Sequence, residues 1–242
     1  MLALLAVAFA PLALADDQLY WNVTLDGQPV GYRSATIKWT PEDDGSMRRT
    51  VEAWTEIDAT VLGFEYQFRE RLSATVHRDV AAFHAVSDFS GSITEVQARR
   101  TAGVWIVTTA YDGRETTREW SATGIDLSTV DLLDPGSLFP LHHFETAKVL
   151  SAESGDIFEG PVHGTGSGNV NIGGIDVPVA GVEWSGDEGD GRFWYSTEGY
   201  LVRYEIAVLG RRLIGTLRQP PPIGPDSAPI APNGGSVREI TL

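Results

Sequence analysis

The run VLGFEYQFRERLSATVHR (residues 61–78) alternates apolar with polar side chains over most of its length. Apolar side chains recur at a spacing of two residues, at Leu62, Phe64, Tyr66 and Phe68 and again at Leu72, Ala74 and Val76. A period of two residues is typical of a β-strand with one buried face. A single strand as long as this one must bend with a twisted sheet. The run therefore predicts a strongly curved antiparallel sheet rather than a flat sandwich layer.

Turn signals divide the rest of the chain into further strands. Asp-Gly pairs, which favour tight hairpin turns, occur at Asp26-Gly27, Asp44-Gly45, Asp112-Gly113 and Asp190-Gly191. Between the turns, β-prone runs predict strands near 30–39, 47–58, 80–89, 92–101, 103–111, 114–121, 168–173, 175–184, 192–197, 200–208 and 211–218. Helical periodicity is almost absent. The fold class is therefore all-β, with one or two short helices.

The interval 124–160 is the one irregular part of this pattern. Ser128 is placed to cap a short helical turn that runs through Leu133, and Asp134-Pro135-Gly136 would end it. We expect this interval to cross the mouth or one face of the sheet.

The two ends of the chain differ from the middle. Residues 1–15, MLALLAVAFAPLALA, end in a small-x-small pattern and predict a signal peptide cleaved after Ala15, with a periplasmic or secreted mature protein. The run is shorter than the ~20 residues that span a membrane, and no later segment approaches that length. Residues 219–242 are rich in proline and predict a mostly disordered tail. A single β domain would occupy residues 16–218.

Composition excludes several functions. The chain has 33 acidic and 18 basic residues, a net charge of −15 that would repel nucleic acid. It has no cysteine, which excludes disulfides, thiolate metal sites and a cysteine nucleophile. Its five histidines lack the spacing of metal ligands, so we expect no metal and no cofactor.

No motif identifies a catalytic site. The serines lack the Gly-x-Ser-x-Gly turn of a nucleophile, and the glycine-rich run 164–168 leads into a strand without a lysine or a helix. Acidic residues are too abundant for two of them to stand out as a catalytic pair. The remaining candidate for catalysis is the adjacent pair His142-His143.

The aromatic side chains point to ligand binding. Seven Trp, seven Tyr and nine Phe lie mostly in predicted strands. A curved apolar face must be covered by protein or by a ligand, so it forms either a packed core or an apolar cavity. For a cavity, the predicted wall consists of Phe64, Tyr66, Phe68, Trp105, Trp194, Tyr200 and Tyr204. The predicted lid runs from Leu132 through Phe139 to Phe144.

Two segments resemble the ends of a family of uncharacterised exported bacterial β proteins. YWNVTLDGQPVGYRSATI (20–37) resembles their opening hairpin, with Gly31 at the family's glycine. FWYSTEGYLVRYEIAVLGRRLIGTLR (193–218) resembles their closing hairpins, with Gly199 in the turn and Leu217 ending the last strand. These proteins are similar to the lipoprotein-carrier superfamily, which includes the periplasmic lipoprotein chaperone and its outer-membrane receptor.

The resemblance implies an open, strongly curved antiparallel half-barrel in the cell envelope, with an apolar concavity plugged by short helices. This chain departs from the carriers in having less helical plug, and it has no cysteine to carry a lipid anchor. The resemblance therefore supports the fold and the location more than the carriage of lipid, because a shared fold does not transfer a function.

Three functional hypotheses follow. The first is a non-enzymatic periplasmic protein that binds a hydrophobic ligand, a lipid or an acylated partner in its concave face. The second is an envelope interaction module with a packed core, whose proline-rich tail contacts another envelope protein. The third is an envelope hydrolase with an unrecognised site, centred on His142-His143.

Overall fold

The computed structural model describes residues 16–61, 63–77, 80–133, 144–186, 189–208 and 210–221. The strands are β1 (Asp17–Leu25), β2 (Gln28–Pro41), β3 (Met47–Val61), β4 (Phe64–His77), β5 (Val80–Phe89), β6 (Ser92–Thr101), β7 (Val104–Tyr111), β8 (Arg114–Ser121), β9 (Leu127–Ser128), β10 (Thr146–Leu150), β11 (Ile157–Ile172), β12 (Ile175–Gly186), β13 (Gly189–Ser196), β14 (Leu201–Val208) and β15 (Arg211–Leu217). Two 3₁₀ turns span Ala122–Gly124 and Asp131–Leu133. No helix in this part of the chain is long and apolar enough to cross a membrane.

All the strands belong to one curved sheet that does not close into a barrel. Its order is β8-β7-β6-β5-β4-β3-β2-β1-β15-β14-β13-β12-β11-β10-β9, so β8 and β9 are its two edges. Neighbouring strands are antiparallel except for β9 and β10, which are parallel. The first and last strands pair in the middle of the sheet, where Trp21 lies opposite Leu217. The expected open, strongly curved antiparallel sheet is confirmed.

The registers arrange the concave face in rows that cross the strands. One row holds Ile37, Val51, Ala74 and Phe83, which are all buried. Trp21 is fully buried in the same core, and its indole N–H donates a 3.0 Å hydrogen bond to the carbonyl oxygen of Leu201. These rows form a continuous apolar core on the concave side.

Residues 122–156, here named the crossing segment, connect β8 to β11, and the described parts of the segment lie against the concave face. In its described parts, 122–133 and 144–156, the side chains buried against the sheet are Ile125, Leu127, Val130, Leu133, Ala147, Val149, Leu150 and Ala152. Arg118 of β8 holds the segment through a 2.7 Å ion pair with Asp156. The described parts of this interval therefore lie against one face of the sheet, which agrees with the expectation for the mouth or one face.

Some local details differ from the prediction. Strand β11 begins at Ile157 rather than near 168, and β9 and β10 have no counterpart among the predicted strands. Glycines at 160, 164, 166 and 168 interrupt the alternation in β11, so the pattern there is not typical of a strand. Ser128 does not cap the turn as an acceptor. Its backbone N–H and its hydroxyl instead both donate to the Asp131 carboxylate, at 2.6 and 2.9 Å. The expected short helical turn does follow, as a 3₁₀ turn over Asp131–Leu133.

Candidate functional site: an amphipathic cavity in the concave face

A cavity of about 540 Å³ lies between strands β2, β4 and β5, strands β11–β14 and the crossing segment. Its size lies within the ~300–1,000 Å³ that small-molecule sites occupy. Most of its lining is apolar, from Leu72, Phe89, Leu132, Leu133, Val149, Phe158, Trp184, Phe193, Leu201, Tyr204, Ile206, Ala207 and Val208. The concave face is therefore packed over part of its area and open over the rest.

An ion pair lies at the polar end of this cavity. The registers place Arg33 opposite Thr55 and Thr55 opposite Glu70, so the three side chains form one row across β2, β3 and β4. A guanidinium nitrogen of Arg33 lies 3.6 Å from Glu70 Oε2, and the Thr55 hydroxyl donates to the same oxygen at 3.4 Å. Glu70 is only 3% exposed. A carboxylate buried to this degree needs such partners to remain charged.

Glu153 faces the same polar end from the crossing segment. Its loop is fixed by the Ser151 hydroxyl, which accepts hydrogen bonds from the backbone N–H groups of Glu153 and Ser154 at 3.1 and 3.2 Å. The side chain is exposed to the cavity but surrounded by protein atoms, so it is partly desolvated without being packed. This desolvation, with the nearby charge of Glu70, raises the pKa of Glu153 to about 7, and Arg33 opposes the rise.

Tyr204 completes the polar end from β14. Burial raises the pKa of its phenol and the nearby charge of Arg33 opposes the rise, so the ring is neutral at physiological pH. Gly215 on β15 lies directly beneath the Tyr204 ring, where a Cβ atom would overlap ring atoms. The glycine at 215 is therefore what allows Tyr204 to turn towards Arg33.

An aromatic cluster continues from the polar row towards the open end of the concave face. Phe68 lies opposite Phe89, and the Tyr66 ring contacts the Phe89 ring at a centroid distance of 6.0 Å. Phe64 and Phe89 are 68% and 49% exposed. These side chains keep the inward register of β4 and β5 but extend beyond the part of the face that the described residues cover.

The ten predicted ligand-binding residues fall in several places. Leu132 and Tyr204 line the cavity. Phe64, Tyr66 and Phe68 lie at the open end of the concave face, and Phe144 packs against the core from the crossing segment. Phe139 lies outside the described residues, as do His142 and His143.

Of the seven predicted wall residues, only Tyr204 lines the cavity, and the remaining three lie elsewhere. Trp105 is buried in the core, with its ring centroid 6.1 Å from that of Phe83. The adjacent Phe193 lines the cavity, so Trp194 points to the other face, where Arg203 lies over its ring at 5.6 Å. The Tyr200 hydroxyl donates a 2.9 Å hydrogen bond to Asp17, in a half-buried contact between β1 and the turn before β14.

The charged residues of the cavity are absent from the set predicted from sequence. Glu70 occupies an inward position of the 61–78 run, in phase with Phe68 and Leu72. Arg33 is likewise in phase with the buried Ala35 and Ile37. A charge at an apolar position of the alternation is a detectable signal of a buried ion pair. Glu153 carries no such signal, because it lies in a loop.

The cavity offers charge and hydrogen-bonding groups beside an apolar wall. Two carboxylates, a guanidinium and a neutral phenol converge there, and they can orient a polar head group beside an apolar chain. Within the described ranges, no three His, Asp or Glu side chains converge in a way that could hold a metal ion.

The fold and the cavity together define a curved, barrel-like β protein with an amphipathic interior. No protein-family model matches the chain, and no curated protein matches its sequence. A similar solved structure is described as the crystal structure of a β-barrel-like protein of domain of unknown function DUF1849 from Brucella abortus. The two chains share 12% identity at a TM-score of 0.55, over 84% of this chain and 96% of that one.

At this identity the likeness concerns the fold alone. It supports the expected similarity to β proteins of unknown function with a barrel-like architecture. It does not point to the lipoprotein-carrier superfamily in particular.

Proposed function

We propose that this chain is an exported envelope protein that binds a hydrophobic ligand in its concave cavity, without catalysis. The observation that carries the proposal is the cavity of about 540 Å³ in the concave face, which is lined mostly by apolar side chains. Such a cavity favours the lipid or acyl-chain hypothesis over a fully packed core. The ligand is a free lipid or the acyl chain of a modified partner protein.

The mouth of the cavity supports the same proposal. Phe89 of β5 and Val208 of β14 both line the cavity, and they are 49% and 39% exposed. Large apolar side chains in contact with water are costly, at roughly 25 cal/mol for each Å². A bound acyl chain would remove part of this area from water, which is a driving force for binding.

A neutral fluorescent probe tests this function without regard to head-group charge. N-phenyl-1-naphthylamine should gain fluorescence on binding to the purified protein with a stoichiometry of one. Val208→Trp should weaken binding at least about tenfold, because the larger ring occupies the mouth of an apolar site. Ile93→Trp is the matched control, since Ile93 is exposed and does not line the cavity.

Two results would contradict the proposal. One is a lack of saturable probe binding by a folded protein. The other is binding that Val208→Trp and Ile93→Trp leave equally strong. Native mass spectrometry of gently purified protein adds a second measurement, since we expect a lipid-sized mass that copurifies with the protein.

Export is part of the proposal and has its own test. Residues 1–15 carry the predicted signal peptide, and cleavage after Ala15 would leave Asp16 as the first residue. Intact mass measurement of the protein from the envelope fraction of an expressing bacterium should give the mass of a chain beginning at Asp16. A full-length cytoplasmic product would contradict export and leave the ligand proposal to its own test.

A further inference from the structure

The polar end of the cavity carries more negative than positive charge. Two carboxylates converge at this end, from Glu70 and Glu153, against the single guanidinium of Arg33. The charge of Arg33 is balanced by Glu70 at 3.6 Å. Glu153 therefore remains to set the charge that a ligand head group meets.

We propose that the cavity selects amphiphiles with a cationic ammonium head group, whose N–H groups donate to Glu153 beside the Arg33–Glu70 pair. The inference rests on the proposed function, because it assumes that the cavity binds an apolar chain. The apolar wall would hold that chain, and the ammonium would supply the charge that the cavity lacks. Charge-assisted hydrogen bonds of this kind are about twice as strong as neutral ones.

The Glu153 carboxylate is available to such a ligand. Within the described ranges, the structure shows no hydrogen bond from another side chain to this carboxylate, and its side chain is open to the cavity. Glu70, in contrast, is buried and already accepts from Thr55. Glu153 is therefore the acceptor that a ligand reaches first.

A carboxylate head group fits the same end poorly. It would need Arg33, whose charge is already paired with Glu70. The Nε atom of Arg33 has no partner, but it is buried and offers no surface to a ligand. Glu153 and Glu70 would both repel the incoming negative charge.

The proton on Glu153 makes this selectivity depend on pH. The groups that act on its carboxylate are Arg33 of β2 and Glu70 of β4, and Tyr204 of β14 faces the same cluster. Asp190 of β13 lines the same cavity. The raised pKa of Glu153, about 7, means that the carboxylate is largely protonated below that pH. An alkylamine keeps its charge throughout, with a pKa near ~10.4 as in lysine, so it should bind more tightly as pH rises from 6 to 8.

Three probes of equal chain length test the inference. Dodecylamine, 1-dodecanol and dodecanoate would each compete with N-phenyl-1-naphthylamine, below their micelle concentrations. At pH 8, dodecylamine should displace the dye at a concentration about tenfold below that of dodecanol, with dodecanoate the weakest competitor. The ratio of amine to alcohol affinity should fall towards one at pH 6.

Substitutions assign the preference to Glu153. Glu153→Gln should bring the ratio of amine to alcohol affinity close to one at both pH values. The matched control is Glu159→Gln, which removes an exposed carboxylate that pairs with Lys148 outside the cavity. It should keep the wild-type ratio at both pH values.

The outcomes separate the two proposals. If the dye and dodecanol bind but the amine has no advantage, or if dodecanoate binds best, the head-group inference is wrong and the proposed function stands. If the amine advantage persists in Glu153→Gln, the assignment to Glu153 is wrong. If neither the dye nor any of the three probes binds the folded protein, both proposals fail.

Discussion

Arg33 and Glu70 introduce opposite charges into a sheet face whose neighbouring rows are apolar. Ala35 and Leu72, in the adjacent inward positions of the same two strands, are almost fully buried. A buried ion pair seldom stabilises a protein more than apolar residues of similar volume would. The pair is therefore better explained by what it offers to the cavity than by stability.

Removal of one charge of the pair should destabilise the protein more than removal of both. Glu70→Leu leaves the Arg33 charge without its partner and should lower the free energy of unfolding by about 3–5 kcal/mol. The double variant Arg33→Met/Glu70→Leu removes both charges and should recover most of that loss. Urea denaturation of the three proteins measures the difference. Additive losses in the double variant would show that the two charges are not coupled.

The charge state of Glu153 should be visible in stability as well as in binding. A carboxyl whose pKa rises from its ordinary value of 4.5 to about 7 holds more protons in the folded than in the unfolded chain. The free energy of unfolding should therefore fall as pH rises from 4.5 to 7 and become level above that. Because the carboxylate is open to solvent, the effect should not exceed about 1 kcal/mol.

Glu153→Gln isolates this contribution from those of other acids. The stability of the variant relative to wild type should increase between pH 5 and pH 7.5 and then stay constant. Urea midpoints measured across this range give the comparison. A difference that does not change with pH would contradict the raised pKa.

The sequence pattern reveals buried charges in strands more readily than buried charges in loops. Arg33 and Glu70 occupy inward positions of alternating runs, so a systematic search for charges in the apolar phase would find both. Glu153 enters the cavity only because the crossing segment folds over the sheet. No local pattern around residue 153 specifies that path.

At the scale of elements, the crossing segment determines how much of the concave face remains open. Its loop passes close to the sheet at Gly155, where a Cβ atom would overlap the hydroxyl of Thr109 and contact Val96 and Val107 at 3.4 Å. Gly155 also has a φ of +74°, which other residues adopt at a cost. Two separate constraints therefore require glycine at this position.

Gly113 provides a comparison in which only the backbone constraint is present. Gly113 has a φ of +73°, but a Cβ atom at this position would have no other atom within 4 Å. Gly113→Ala should cost about 1 kcal/mol for the backbone alone. Gly155→Ala should cost a further 1–3 kcal/mol or so, because the core beneath it is already filled.

The added cost should depend on Thr109. In the double variant Gly155→Ala/Thr109→Ala, the overlapping hydroxyl is absent and most of the extra loss should be recovered. Thermal or urea unfolding of the single and double variants provides the measurement. Equal losses for Gly155→Ala and Gly113→Ala would contradict the close contact between the loop and β7.

A strand is predicted well from the sequence when its signal is local. The predicted bounds of β5, β6 and β8 agree with those of the structure, because tight turns and clear alternation define these strands. The predicted start of β11 is too late, because its glycines carry no side chain to alternate. Strands β9 and β10 form only where the crossing segment meets β11, so they depend on tertiary contacts.

At the scale of the whole molecule, the strand order explains both the predictable fold and the unpredicted cavity. Consecutive antiparallel strands are neighbours from β1 to β8 and from β10 to β15, so most of the sheet follows from local hairpins. The pairing of β1 with β15 joins residues about 190 positions apart in the chain. This pairing brings Arg33 and Tyr204 to the same end of the cavity, which no local pattern predicts.

The most direct test of cavity binding places a ligand beside an identified tryptophan. Trp184 lines the cavity, whereas Trp39 packs at the far end of the core beneath Arg49. A dodecanol brominated on its chain should quench tryptophan fluorescence saturably, since bromine acts only at short range. Trp184→Phe should remove most of the saturable quenching, and the control Trp39→Phe should preserve it. Saturable quenching that Trp184→Phe leaves intact, or none at all, would contradict ligand binding in this cavity.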